Sequence, residues 1–259
     1  MGVLQRIAIC YLLASLIFLY SSVRGQIVWI VGVLTAYWLM MTCVNVPGFG
    51  YGRLDVEGNF AHYVDRILLG AHNYAETRTW DPEGFVSTLP AGATTLLGIL
   101  AGHILRLPIT LGKRRWRLTL SGLALIAAGL ICSIWLPINK KLWSDSFALF
   151  MAGLDFVTLA FFLWFVDERG FRKPVKPFLI MGVNAITVYL ASEFLGELLD
   201  AVHVKSGTAW LSLSQFAYVH AFAPLASPMN ASLLFACVFT AVIYLLAYVM
   251  YRRRWFVKL

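Results

Sequence analysis

Several acids in this chain lie where water is scarce, and they are the first residues whose chemistry needs an explanation. Glu193 sits inside the apolar run VYLASEFLGELL, and at helical spacing Tyr189, Glu193, Glu197 and Asp200 share one face. A carboxylate deep in such a run costs about 2.5–3.5 kcal/mol on insertion scales. The stripe therefore reads as a substrate-binding or proton-handling face, or as a group near enough to the interface to stay hydrated. Asp155, in MAGLDFVTL, falls near the middle of its run and is expected to make a polar contact inside a helix bundle. Asn184 and Thr187 invite the same reading, as helix–helix hydrogen bonds.

A second constellation opens residues 79–102, TWDPEGFVSTLPAGATTLLGILAG. Asp81-Pro82-Glu83 has the form of a helix start, with an acidic N-cap, a proline at the first position and an acid in the first turn. Pro90 would then kink the helix, and Gly98 and Gly102 would let a neighbour approach at GxxxG spacing. A charged rim, a kinked mouth and a close-packed stem describe a pocket wall. The turn 137–147, PINKKLWSDSF, adds Asn139, Lys140, Lys141 and Trp143. The lysines could neutralise the acids at Asp81 or bind an anion, or simply be solvated beside an interfacial Trp143.

Histidine is the usual general base. His62, His72, His203 and His220 lie in loops, none beside a nucleophile motif, and each reads more simply as a surface residue. His103 reads as a complement to its helix dipole. Cys10, Cys43, Cys132 and Cys237 lie in or at the edges of apolar runs without metal-ligand spacing, so neither zinc nor a disulfide is expected.

The elements that must position these groups are membrane helices. The chain is 60% hydrophobic and 13% charged, with mean hydropathy +0.75, against about 25% charged residues in a soluble domain. Runs of spanning length occur at residues 4–22, 26–44, 86–105, 116–138, 146–166, 177–199 and 230–251. The expected fold is an all-α polytopic bundle of about seven transmembrane helices forming a single transmembrane domain. The first run lacks a small-x-small cleavage site and reads as a helix, not a leader. The net charge of +8 sits in short loops, as the positive-inside rule requires, which argues against nucleic acid.

One side carries fourteen basic residues: Arg24, Arg106, Lys113, Arg114, Arg115, Arg117, Arg169, Arg172, Lys173, Lys176, Arg252, Arg253, Arg254 and Lys258. The other carries seven: Arg6, Arg53, Arg66, Arg78, Lys140, Lys141 and Lys205. This places the C-terminus in the cytoplasm and the N-terminus outside. Two outer loops are long, about 45–85 and 200–229. In the first, Phe60, Tyr63, Val64, Ile67 and Leu68 recur at helical spacing, Asn59 can cap and Gly70 can end the segment. It is expected to be an amphipathic helix lying in the interface or covering the bundle. The second contains His203, Trp210, Tyr218 and His220, and its 222–228 segment, FAPLASP, is a candidate to re-enter the interface.

Four motifs occur in an order that is familiar: residues 2–11, GVLQRIAICY; the PGFGYG of residues 47–52; residues 80–90, WDPEGFVSTLP; and residues 138–147, INKKLWSDSF. With the matching topology, the whole chain resembles the bacterial relatives of heparan-alpha-glucosaminide N-acetyltransferase. Some of those relatives are described as N-acetylglucosamine-associated membrane proteins or transporters. The resemblance implies transfer of acetyl from cytoplasmic acetyl-CoA to an amino sugar on the outer side of the bacterial inner membrane. Basic inner loops, Lys113-Arg-Arg-Trp-Arg above all, would meet the CoA phosphates, and the acidic rim would steer an ammonium.

The resemblance is to the last seven helices of a ten-helix family. The family's histidine-bearing loop lies in the part without a counterpart, so no catalytic base is assigned. A longer reading frame, a truncated gene or a separate chain would account for the difference. Expected partners are the bilayer, an amino sugar or glycan, and a homo-oligomer or second chain supplying helices. The substrate-binding candidates are Asp81, Glu83, Asn139, Lys140, Trp143 and Glu193, with Asp155 and Asn184 as intramembrane polar groups. The alternative is an amino-sugar transporter coupled to protons through Glu193 and Asp155.

Overall fold

The computed structural model describes residues 2–74, 76–207 and 209–257; Lys258, counted above with the basic C-terminus, lies outside them. The chain divides into two compact units, Met1–Gly170 and Phe171–Leu259. In the first, α1 (Val3–Tyr20), α2 (Val23–Cys43), α4 (Thr88–Arg106), α5 (Leu111–Cys132) and α6 (Asp145–Phe162) form the bundle. A short α3 (Phe60–Leu68) lies in the connection between α2 and α4. α6 continues as a π-helical turn, Leu163–Glu168. Among the described residues six helices of the chain are long and apolar enough to cross a membrane, or seven if one bent pair is a single span.

The inside-out distribution of side chains follows from the solvent. α1 buries Arg6, Cys10 and Ala14 at four-residue spacing while exposing Leu4, Ile7, Tyr11 and Leu12. α2 likewise buries Gln26 with Ile30, Leu34, Tyr37 and Met41. In hydrocarbon a large apolar residue gains nothing by hiding, so small and polar residues take the helix contacts.

α4 packs against α1, α2 and α6, and α5 pairs with α6. The α5–α6 pair provides the close approach that residues 98–102 were expected to make. A Cβ on Gly122 would lie 2.8 Å from the Gly153 carbonyl oxygen, and one on Gly129 would lie 2.7 Å from the Phe150 nitrogen. At Gly98 and Gly102 a Cβ would meet nothing within 4 Å. Spacing alone does not say which glycine pair faces a neighbour.

The start of α4 also differs from expectation. Its N-cap is Ser87, and Asp81 instead closes a turn, its Oδ1 accepting from the Glu83 N–H at 2.9 Å. Pro90 therefore falls in the first helical turn, where amide hydrogens have no intrahelical acceptor and a proline does no harm. No kink is required. α3 has the expected limits: Asn59 accepts from the His62 N–H at 2.8 Å, and Gly70 adopts φ +49°. Its buried face is Ala61, His62 and Asp65, whereas Ile67 and Leu68 are exposed.

In the second unit α7 (Lys176–Gly182) and α8 (Ala185–Ala201) meet at a 79° bend. β1 (His203–Ser206) pairs antiparallel with β2 (Ala209–Ser212) in register His203↔Ser212. α9 (Leu213–Ala217) follows, and α10 (Pro228–Arg252) packs on α7 and α8. Asn184, at the bend, was expected to bond helix to helix. It holds the segment after α10 instead, donating to the Trp255 carbonyl and accepting from the Val257 N–H, each at 3.0 Å.

Gly153→Val should therefore overpack the α5–α6 contact, a change that typically costs about 1–3 kcal/mol. A clear fall in melting temperature in detergent is expected, with Gly98→Ala indistinguishable from wild type. Equal tolerance of both would contradict the assignment.

Candidate functional site

The site is built around Arg6, 5% exposed, near the start of α1. Its guanidinium donates to the Ser87 hydroxyl, which passes its own hydrogen to the Gly84 carbonyl at 3.0 Å. The guanidinium carbon stands 5.1 Å from the Trp143 ring centroid, a cation–π distance. The carboxylates of Glu83, Asp81 and Asp65 supply the negative field around it, Glu83 the most strongly. Arg6 Nε is buried with no hydrogen-bond partner among the described residues. One helix turn on, the Cys10 thiol faces the Thr88 carbonyl at 3.9 Å.

Trp143 is held by its own turn. Asn139 Oδ1 accepts from the Lys141 and Leu142 N–H groups at 2.9 and 3.4 Å. Ser144 Oγ accepts from the Asn139 N–H and donates to the Pro137 carbonyl. The turn leaves Trp143 at φ +52°, a backbone region that disfavours side chains, and the surrounding bonds enforce it. Its indole N–H then reaches Thr94 Oγ1 at 3.2 Å. Tyr37 on α2 anchors the same turn by donating to the Leu142 carbonyl at 2.7 Å.

The loop before α4 is pinned from α3. Asp65 Oδ1 accepts from the Phe85 N–H at 3.1 Å, and a Cβ on Gly84 would collide with that carboxylate. Only glycine fits there. Burial pushes the Asp65 carboxyl up to about 6. Beside it, His62 stacks on Trp80 with ring centroids 4.5 Å apart, and the Lys141 ammonium lies 5.6 Å from the same indole. His62 Nδ1 lies 2.9 Å from the Val56 carbonyl and 2.7 Å from the Asn59 amide nitrogen. Nε2 is buried without a partner among the described residues, and burial lowers the imidazole to about 4.

The structure thus brings Asp81, Glu83 and Trp143 together with Arg6, Ser87, His62 and Asp65. Asn139 shapes the turn, and Lys140 is exposed on it. Glu193 is exposed on α8 with no hydrogen bond or ion pair among the described residues. Asp200, at the end of its stripe, accepts from Ser212 at 3.5 Å and from Ser214. Asp155 was expected to face the bundle; it lies exposed on α6, because Ala152, Gly153 and Phe156 occupy the packed face. Arg6 and His62 were not chosen from the sequence as site residues. The available signals were a basic residue on the same stripe as Cys10 and Ala14, and the Asn59-x-x-His62 cap.

At the opposite end of the first unit, between α2, α4 and α5, lies a mostly apolar cavity of about 820 Å³ with His103 and Arg106 in its wall. His103, in the last turn of α4 as expected, also places its Nε2 3.1 Å from Gln26 Oε1 on α2. Near this end Arg114 Nε donates to the Leu107 carbonyl at 2.9 Å, and Arg115 pairs with Glu168 at 3.2 Å. Lys113 and Arg117 remain exposed.

Helices and buried polar cluster together define an all-α multi-pass membrane protein. No family model matches the sequence. Part of the chain is similar to the heparan-alpha-glucosaminide N-acetyltransferases. It is 28% identical to the Mus musculus protein and 29% identical to the Homo sapiens protein, each over 192 residues, or 62% of this chain. The match spans only 29% of each relative's length.

His62 and Asp65 titrate in opposite senses. The folded His62 binds its proton only near pH 4 while the unfolded imidazole binds near 6.5, so its contribution to stability is lost as pH falls through that window. Folded Asp65 binds a proton near 6 but unfolded only near 3.8, so acid relieves the penalty of its burial. Relative to wild type, His62→Gln should gain melting temperature between pH 7 and 4.5, and Asp65→Asn should lose it. Parallel pH profiles for the three proteins would refute this pairing.

Proposed function

We propose that this protein acts in a membrane acetyltransferase that takes acetyl from acetyl-CoA on the cytoplasmic face and delivers it to an amino sugar outside the bacterial inner membrane. Kinship to the heparan-alpha-glucosaminide N-acetyltransferases supports the reaction class. The observation that carries the reading is that one unit holds two chemically different ends. An acidic, aromatic mouth at Glu83, Asp81 and Trp143 suits an amino sugar, whose ring packs on an indole while its ammonium meets carboxylates. The 820 Å³ cavity at the other end suits the donor's pantetheine arm, with Arg106 and the exposed Lys113 and Arg117 for its phosphates. The basic side is then cytoplasmic, as is the C-terminus.

In this reading Glu83 and Asp81 draw in the ammonium, which must lose a proton before its nitrogen attacks the thioester carbonyl. The C–S bond breaks as the C–N bond forms, and CoA leaves as the thiol. Arg6 limits the negative charge at the mouth, so that the acids bind an amine without trapping it.

Sealed inside-out vesicles loaded with glucosamine should accumulate labelled N-acetylglucosamine when acetyl-CoA is supplied outside. Glu83→Gln should raise the KM for the amine about tenfold, the scale of one hydrogen bond to a charged group, with little effect on the KM for acetyl-CoA. Absence of transfer to any of a range of amino sugars would overturn the proposal.

A further inference from the structure

A second cavity, of about 450 Å³, lies between α2 and the facing ends of α5 and α6 and has no part in the reaction above. Its wall is mainly apolar, with Trp38, Trp135 and Leu136 beside Thr35, Cys132 and Asp145. Asp145 is the first residue of α6 and only 5% exposed. Its Oδ1 is buried with no hydrogen-bond partner among the described residues. The hydroxyls on either side of it in the chain are committed elsewhere: Ser144 donates to the Pro137 carbonyl and Ser146 to the Leu136 carbonyl. The Tyr37 hydroxyl donates to Leu142. No ion pair joins Asp145 to a basic side chain among the described residues. The start of α6 favours a negative charge, but a helix dipole replaces neither a counter-ion nor a lost hydrogen bond.

An uncompensated buried carboxylate beside two indoles in an apolar space has a definite complement. We propose that this cavity binds an amphiphilic ammonium, its N–H groups or positive charge at the Asp145 carboxylate, its cation against Trp38 and Trp135, and its hydrocarbon body in the apolar remainder. A sugar or a hydrated metal ion would leave most of its polar surface unmatched against such a wall, whereas indole faces attract organic cations. The volume is that of a small-molecule site. The same chemistry is offered by a lipid amine headgroup and by a free long-chain amine.

Cys132 in the wall reports occupancy. In the full-length protein with Cys10→Ala, Cys43→Ser and Cys237→Ser, a neutral maleimide labels Cys132. Dodecylammonium should slow that labelling about fivefold, the scale of one cation–π contact, while dodecanol at the same concentration should not. Asp145→Asn should abolish the difference, and Trp135→Leu, at an exposed position, should weaken it without loss of fold. The melting-temperature shift given by the same two probes is a parallel readout that needs no labelling. Slower labelling in phosphatidylethanolamine than in phosphatidylglycerol vesicles would assign the site to the lipid. Protection by dodecylammonium alone would assign it to a free amine. Equal effects of dodecylammonium and dodecanol, or a difference that persists in Asp145→Asn, would overturn the proposal.

Discussion

The buried guanidinium of Arg6 is the constraint on which the loop end of the first unit depends. Taking such a group out of water costs several kcal/mol unless hydrogen bonds and opposite charge replace its hydration. Here the replacements come from parts of the chain far apart in sequence: Ser87 before α4, Trp143 in the 137–144 turn, and the carboxylates of Asp65, Asp81 and Glu83. Each of these is held in turn, Ser87 by Gly84, Trp143 by Thr94 and the Asn139–Ser144 bonds, Asp65 by Phe85. Removing the charge would release three segments at once. The same convergence sets acids and an indole side by side, the group to which the proposed reaction assigns the acceptor mouth.

That mouth rests on a rigid support. α5 and α6 touch through glycines at Gly122, Gly129 and Gly153, so their backbones approach more closely than side chains normally permit. Ser144, directly after Trp143, caps α6, so the helix pair fixes the turn that carries the indole. α4 supplies Thr94 from one side and leads into the His103–Arg106 cavity at its other end. A single helix thereby links the two ends to which the proposed reaction assigns acceptor and donor.

Much of this organisation was legible in the sequence. Hydropathy located most spans to within a few residues, with α5 displaced by five to six from the run 116–138, and Asn59 and Gly70 marked the limits of α3, because both signals are local. The misreadings share one cause, which is that local pattern does not report a distant partner. Asp81-Pro82-Glu83 has every feature of a helix start, yet Asp65 captures the Phe85 amide and delays the helix to Thr88. Gly98 and Gly102 have the spacing for close packing, but a Cβ at either would meet nothing within 4 Å. His62 looked like a surface residue because the Trp80 that covers it arrives from eighteen residues on (80 minus 62). The bend at Asn184, whose side chain bonds to Trp255 and Val257, breaks a run that reads as continuous. Among the candidates, Asp81, Glu83 and Trp143 converge on one site because they lie in motifs adjoining the turns that build it.

The account's central claim is that acceptor and donor enter from opposite ends of one helical unit. Structure determination in lipid nanodiscs with glucosamine and a non-hydrolysable acetyl-CoA analogue tests it most directly. The account predicts the amino sugar at the Glu83–Asp81–Trp143 mouth, its nitrogen toward the carboxylates, and the CoA analogue in the cavity bordered by His103 and Arg106. Both ligands at the same end, or an amino sugar bound away from Trp143, would contradict it.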